Sequence, residues 1–270
     1  EAEVAEKLAE MTTARAPRGL DRVFYTSGGS EAVETAMKLA RSHALATGEA
    51  QRWKVISRFP AYHGCTLGAL AVTGYAPMTA PYAPMMREMP KIPAPRAYLD
   101  GLDPEDPETG HHYAQMLEAC ILAEGPETVL AILVEPIAGA STGALVPPAG
   151  YMKRIREICD AYGVLLIHDE VICAGGRTGT FFAGDLWNVA PDLITLSKGF
   201  GGGYVPLGAV VARRDLADAV LDAGGFPHGF TYAGNPLACA AGIAVIEEID
   251  RLGLMQNAVT MGDRLMARMK

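Results

Sequence analysis

No run of basic residues, no apolar stretch of membrane-spanning length and no CxxC pair occurs in these 270 residues. Each absence excludes a class. The longest apolar stretches are broken by charge or Gly well short of the ~20 residues a spanning helix needs, so no membrane partner is expected. Acids outnumber bases, 31 to 23, for a net charge of −8, which argues against nucleic acid as a partner. The five cysteines (Cys65, Cys120, Cys159, Cys173 and Cys239) are odd in number and follow no ligand or disulfide spacing. Reduced thiols in a cytoplasmic protein are the expected state. Low-complexity sequence is missing as well, while half of the residues are hydrophobic, so the chain is read as globular with a substantial core.

What is present is organised around residues 164–205. Two short apolar runs, 164–167 and 193–196, lead into polar and ionisable residues: His168, Asp169 and Glu170 after the first, Ser197 and Lys198 after the second. Short apolar runs bounded by Gly, Pro and charge read as buried strands of a parallel sheet. Ligand crevices of open α/β sheets lie beyond the carboxyl ends of the strands, which places Asp169 and Lys198 at one mouth. A lysine at a strand end is ordinarily a snorkelling surface residue. Here Gly199, Gly201, Gly202 and Gly203 follow it, removing side chains where something bulky would approach the backbone. An amine in a partly desolvated crevice can form a Schiff base, and an acid opposite can hold a protonated ring nitrogen. A pyridoxal cofactor needs both.

The rest of the chain alternates strand and helix patterns. A helix-like stretch opens it, and an apolar run at 23–25 leads into Thr26-Ser27-Gly28-Gly29-Ser30. Val33, Ala36, Met37, Ala40 and Ala44 then fall at helical spacing, so a Gly-rich turn feeds a helix beginning at Ser30. Ser30 reads either as an ordinary N-cap or as part of a phosphate seat with the helix N–H groups. Strands are expected at 53–57, 129–134 and 207–212, and helices at 111–123, 150–163 and 216–221. A further helix from Asn235 carries Leu237, Ala241, Val245 and Ile249 on one stripe. The Pro-rich segment 76–110 reads as a long surface excursion. This alternation predicts an α/β fold with a largely parallel sheet.

The motifs LVEPIAGASTGALVPPAGYMKRIREICDAYGVLLIHDEV (133–171) and LITLSKGFGGGYVPLGAVV (193–211) resemble the core of class III aminotransferases, fold-type-I pyridoxal-phosphate enzymes. SGGSEAVETAMKLAR (27–41), AYHGCTLGAL (61–70) and HGFTYAGNPLACAAGIAVIEEI (228–249) extend the likeness over nearly the whole chain in unbroken order. The resemblance implies a three-layer α/β/α large domain with a mainly parallel central sheet. It implies pyridoxal 5′-phosphate held by Lys198 as a Schiff base, with Lys198 also carrying the proton in catalysis. Asp169 pairs with the pyridine nitrogen, Gly29 and Ser30 hold the phosphate, Tyr62 stacks on the ring, and His63 completes its motif. Val171 packs under the ring, Glu135 lies near Asp169, and Thr231 reaches the phosphate of a second subunit, which implies a homodimer with shared sites. His168 is read as structural.

The likeness also has departures. Ala140 stands where members acting on γ-amino acids carry a gating Glu, Ile172 stands where they carry a Gln, and Ala174-Gly175-Gly176 replaces Gly-Phe-Gly. The first two resemble the ω-amino acid or amine:pyruvate branch. The implied activity moves an amino group from an amine or an ω- or α-amino acid to an oxo-acid, with pyruvate favoured. A decarboxylase, racemase or aminomutase on the same scaffold is the alternative, and a non-catalytic cofactor-binding relative a lesser one. Residues 1–270 are expected to be the cofactor-binding large domain of a longer protein, without the family's N-terminal segment and most of its C-terminal small domain.

Overall fold

A computed structural model describes residues 2–269. In chain order the elements are α1 (Ala2–Thr13), β1 (Leu20–Thr26), α2 (Gly29–Ala46), β2 (Lys54–Phe59), α3 (Leu67–Val72), α4 (Ala76–Thr79) and β3 (Lys91–Pro93). There follow α5 (Pro107–Glu124), β4 (Val129–Val134), α6 (Tyr151–Tyr162), β5 (Leu165–Asp169), β6 (Leu193–Leu196), β7 (Gly208–Arg213), α7 (Arg214–Asp222), α8 (Pro236–Arg251) and α9 (Leu254–Met269).

The strands form one sheet in the order β1-β7-β6-β5-β4-β2-β3. From β6 to β3 all neighbours are parallel, while β7 runs antiparallel to both β6 and β1. Burial follows from that layout. Every residue of β4 is buried because helices cover both faces of the sheet. On one face, Leu130, Leu133, Ile167, Leu193 and Val210 pack against α2 and α7. On the other, Ile132, Val134 and Leu166 meet α5 and α6, while Ile194, Ala209 and Val211 meet α1 and α8. The result is the three-layer α/β/α arrangement. Ile132 is fully buried in it, and truncation to Ala would cost about 2–5 kcal/mol.

Strand alternation aims the polar residues. Leu165, Ile167 and Asp169 share one face of β5, and Leu166 and His168 share the other. Asp169 therefore emerges on the α2 side, and His168 is buried on the side of α5 and α6.

Three local expectations are corrected. The 76–110 excursion contains β3, a three-residue edge strand paired in parallel with β2, too short to show a periodicity. The buried face of α8 is Ala238, Cys239, Gly242, Ile243, Ile246 and Ile249, so of the predicted stripe only Ile249 is buried and Leu237 is exposed. Contact with α1 selects that face: a Cβ at Gly242 would lie 2.9 Å from Leu207 Cδ2 and 3.1 Å from Leu8 Cδ2. Helix α2 starts at Gly29, and its N-cap is Gly28, so Ser30 is not a cap.

Candidate active site

The turn between β1 and α2 is held by its own sequence. Glu31 Oε2 accepts a hydrogen bond from Ser27 N at 2.7 Å, reaching back across the helix start as a capping-box glutamate does. Ser30 is released from capping, and its Oγ accepts from Cys65 N at 3.0 Å. Four residues on, Glu34 Oε1 accepts from Thr66 Oγ1 and Gly68 N, both at 2.8 Å, at the start of α3. Helix α2 thus fixes the loop that carries Tyr62 and His63. Gly64, at φ +141°, is required there: a Cβ would lie 2.6 Å from Ser30 Oγ and 2.9 Å from Ser30 Cα.

Gly29, Ser30, Tyr62, His63, Glu135, Asp169, Val171 and Lys198 all line one cavity of about 130 Å³, joined by Gly64 and Ile172. Thr231 does not; it is exposed on the segment between α7 and α8. Ala140 is also exposed and lies outside the lining.

Asp169 is the most completely held side chain of the cavity. Its Oδ2 lies 2.7 Å from His63 Nδ1, and its Oδ1 accepts from Val171 N at 3.1 Å and Thr195 Oγ1 at 3.2 Å. Thr195 pairs with Asp169 across β5 and β6, so its side chain shares the same face. His63 is itself placed by its backbone, whose N–H donates to Thr73 Oγ1 at 2.9 Å. The buried His63 Nε2 has no partner among the described residues. Tyr62 keeps its phenol proton more firmly than usual, through burial first and then the charges of Cys65 and Asp169.

Lys198 follows β6 and opens a short 3₁₀ turn, with φ +44° in the left-handed region. A non-glycine residue there is strained. Beyond it lies a second, more open hollow of about 740 Å³, bordered by Gly175, Gly176 and Arg177. Gly176 is closely packed: a Cβ there would lie 2.9 Å from Met255 Cγ. Glu135 Oε1 accepts from Gly139 N at 3.1 Å, and the Glu135 carbonyl accepts from the fully buried Arg58 guanidinium.

Behind the strand ends, His168 is fully buried. Burial, then the charges of Arg156 and Arg58, lower its pKa to about 3. Glu170 accepts from Ala183 N at 2.6 Å and Gly184 N at 3.0 Å, and burial raises its pKa to about 7. Thr195, Thr73, Glu34 and Arg58 were not anticipated from the sequence. A threonine inside an apolar run reads as one more β-branched strand residue, and nothing local marks it as a partner of an acid 26 positions away.

Among the described residues the five cysteines are free. No helix among them is long and apolar enough to cross a membrane.

Comparison with known proteins converges on one family. Residues 1–270 match the family described as aminotransferase class-III. A probable aminotransferase of Mycobacterium tuberculosis is 44% identical over 254 residues, 94% of this chain and 54% of the relative. The crystal structure of a thermostable (S)-enantioselective omega-transaminase from Thermomicrobium roseum superposes with a TM-score of 0.93 at 39% identity, over 97% of this chain and 58% of that one. The omega-transaminase of Pseudomonas jessenii, solved in complex with PMP, gives 0.91 at 34% identity, over 96% of this chain and 58% of that one. The chain spans about half the length of the curated relatives it matches. It belongs to the class-III aminotransferase family.

Proposed function

We propose that these residues are the cofactor-binding large domain of a pyridoxal-phosphate-dependent transaminase, acting through Lys198 on an amine or an ω- or α-amino acid donor. One observation carries the reading: Lys198 and a triply hydrogen-bonded Asp169 meet in a single cavity that also exposes the start of α2. The residues fit the group. Asp169 Oδ2 takes a single donor and keeps a lone pair for a ring N–H. Helix α2 leaves its first N–H groups without intrahelical partners, and Ser30, which accepts from Cys65 N and lies 3.7 Å from Cys65 Sγ, can turn its own O–H toward a phosphate. When bound, pyridoxal phosphate supplies an electron-accepting ring. Asp169 would hold the ring nitrogen protonated, and the Lys198 amine would take and return a substrate proton as a general acid–base. His63, Thr195 and the Val171 amide keep Asp169 in place. Gly29, Tyr62, Val171 and Glu135 complete the walls.

Borohydride reduction of the complete protein followed by peptide mapping should leave a pyridoxyl group on Lys198, and a label on any other lysine overturns the assignment. Amine donor alone should convert the chromophore, and an oxo-acid should restore it. Release of carbon dioxide or loss of donor chirality would move the protein to another reaction of the scaffold.

The branch reading rests on Ile172 in the cavity wall and on Ala140, neither able to pair with a cation. A small oxo-acid such as pyruvate is the favoured acceptor, and a higher kcat/KM with 2-oxoglutarate would overturn that. We read the active unit as a homodimer in the cytoplasm. The exposed position of Thr231, outside its own cavity, supports donation to a neighbouring subunit, and the free cysteines support a reducing compartment. Mixed subunits carrying Lys198→Ala and Thr231→Ala should recover activity on exchange.

A further inference from the structure

The segment that carries Thr231 is fastened to α2 by one side chain. His228, half-buried, sits in an aromatic box. It stacks on Phe24 of β1 with ring centroids 5.7 Å apart, and it meets Phe226 at 5.2 Å and Phe230 at 4.9 Å. Its Nε2 lies 2.9 Å from Thr35 Oγ1, and its Nδ1 lies 3.4 Å from Lys38 Nζ, both on α2.

The partners fix the tautomer. Thr35 Oγ1 donates its only proton to the Glu31 carbonyl at 2.8 Å, so toward His228 it can only accept. Nε2 must therefore carry the hydrogen, and Nδ1 offers its lone pair to the Lys38 ammonium. A second proton would go on Nδ1, where that lone pair would be replaced by an N–H facing a like charge. The segment follows Gly224 and Gly225, with φ of +115° and +100°, a conformation that suits glycine.

We propose that His228 is a positioning residue, a proton-sensitive latch that fastens segment 226–234 to α2 and so sets Thr231, three residues on. The role of Thr231 at the phosphate rests on the functional reading above; the latch does not. The charged groups facing the ring are Lys38 and Glu34, both on α2. Strand β1 and the segment itself contribute only Phe24, Phe226 and Phe230. The imidazole pKa is lowered by burial first and then by Lys38, with Glu34 opposing. That order agrees with the geometry.

The test uses the full-length holoenzyme labelled with 15N-histidine, together with hydrogen exchange of residues 224–235 as a function of pH. His228 should be the Nε2–H tautomer at neutral pH and should titrate below the ordinary imidazole value. Exchange of the segment, corrected for its intrinsic pH dependence, should accelerate roughly tenfold in step with that titration. His228→Gln places an amide N–H where Nε2 stood and cannot gain a second proton, so its segment should stay protected throughout. Lys38→Met removes the charge that an Nδ1–H would face, so the imidazole should titrate higher and the segment should lose its acid-dependent opening. An Nδ1–H tautomer, or the same exchange profile in wild type and His228→Gln, would overturn the latch. If the segment opens as expected but neither opening nor Thr231→Ala speeds cofactor release, the latch stands and the role of Thr231 is overturned.

Discussion

Asp169 and Glu170 are neighbours in sequence, both carboxylates, both buried, yet the fold gives them opposite properties. Asp169 leaves β5 on the α2 side, into a cavity, with His63, Thr195 and the Val171 amide donating to it. Glu170 turns back into the protein, where two amides of the 183–184 turn meet it and burial still raises its pKa to about 7. Placement, not residue type, decides their use: Asp169 faces a cavity and Glu170 does not. One is poised to hold a cation; the other braces a turn.

The largest effect expected from breaking this contrast is at Asp169. Asp169→Asn keeps the shape and removes the charge, and kcat should fall on the order of 10³-fold, about 4 kcal/mol. Steady-state kinetics with saturating cofactor checks it. The comparison fails if Glu170→Asp costs as much.

Next comes the support of Asp169. Thr195→Val is isosteric and removes one donor from Oδ1, so cofactor affinity or kcat/KM should drop roughly 10-fold with little change in melting temperature. Equilibrium dialysis of the holoenzyme measures it. Gly64→Ala should also weaken cofactor retention, because the added methyl would displace Ser30.

The last effect is on stability rather than activity, and it separates the other face. His168 has a native pKa of about 3 against an ordinary 6.5, so the native state resists a proton that the unfolded chain takes. Its contribution is whole above pH 6.5 and is lost as pH falls toward 3. Glu170 works the other way: its native pKa of about 7 exceeds the ordinary 4.5, so its protonation favours the native state as pH falls from 7 toward 4.5. Between pH 4.5 and 6.5 the two oppose. His168→Leu forfeits no ring hydrogen bond, since neither ring nitrogen has one among the described residues. Relative to wild type, the variant should gain about 1.4 kcal/mol per pH unit below 6.5, read from urea melts at pH 7 and 5. A constant difference would mean that His168 is protonated in the native state.

Much of this was legible in the sequence because it is written in period and punctuation. The apolar runs ending at Asp169 and just before Lys198 are strands β5 and β6, and Gly150 and Gly163 bracket α6 as its cap residues. What the sequence did not show are contacts that cross the chain. The face of α8 depends on how closely α1 approaches Gly242, and the duty of Ser30 depends on a loop 35 residues later. His63 meets Asp169 across 106 positions, with no local signal in either residue. The resemblance supplied His63; pattern alone could not have paired it with that acid.

Lys198 holds a left-handed backbone conformation that costs an ordinary residue roughly 1–2 kcal/mol and glycine almost nothing. For the fold, then, lysine is a poor choice at this position. Lys198→Gly should melt higher than Lys198→Ala, and a library selected only for heat resistance would drift toward glycine there. Any thermostabilisation of this scaffold has to be scored with the chromophore in view, or the selection will discard its most useful amine.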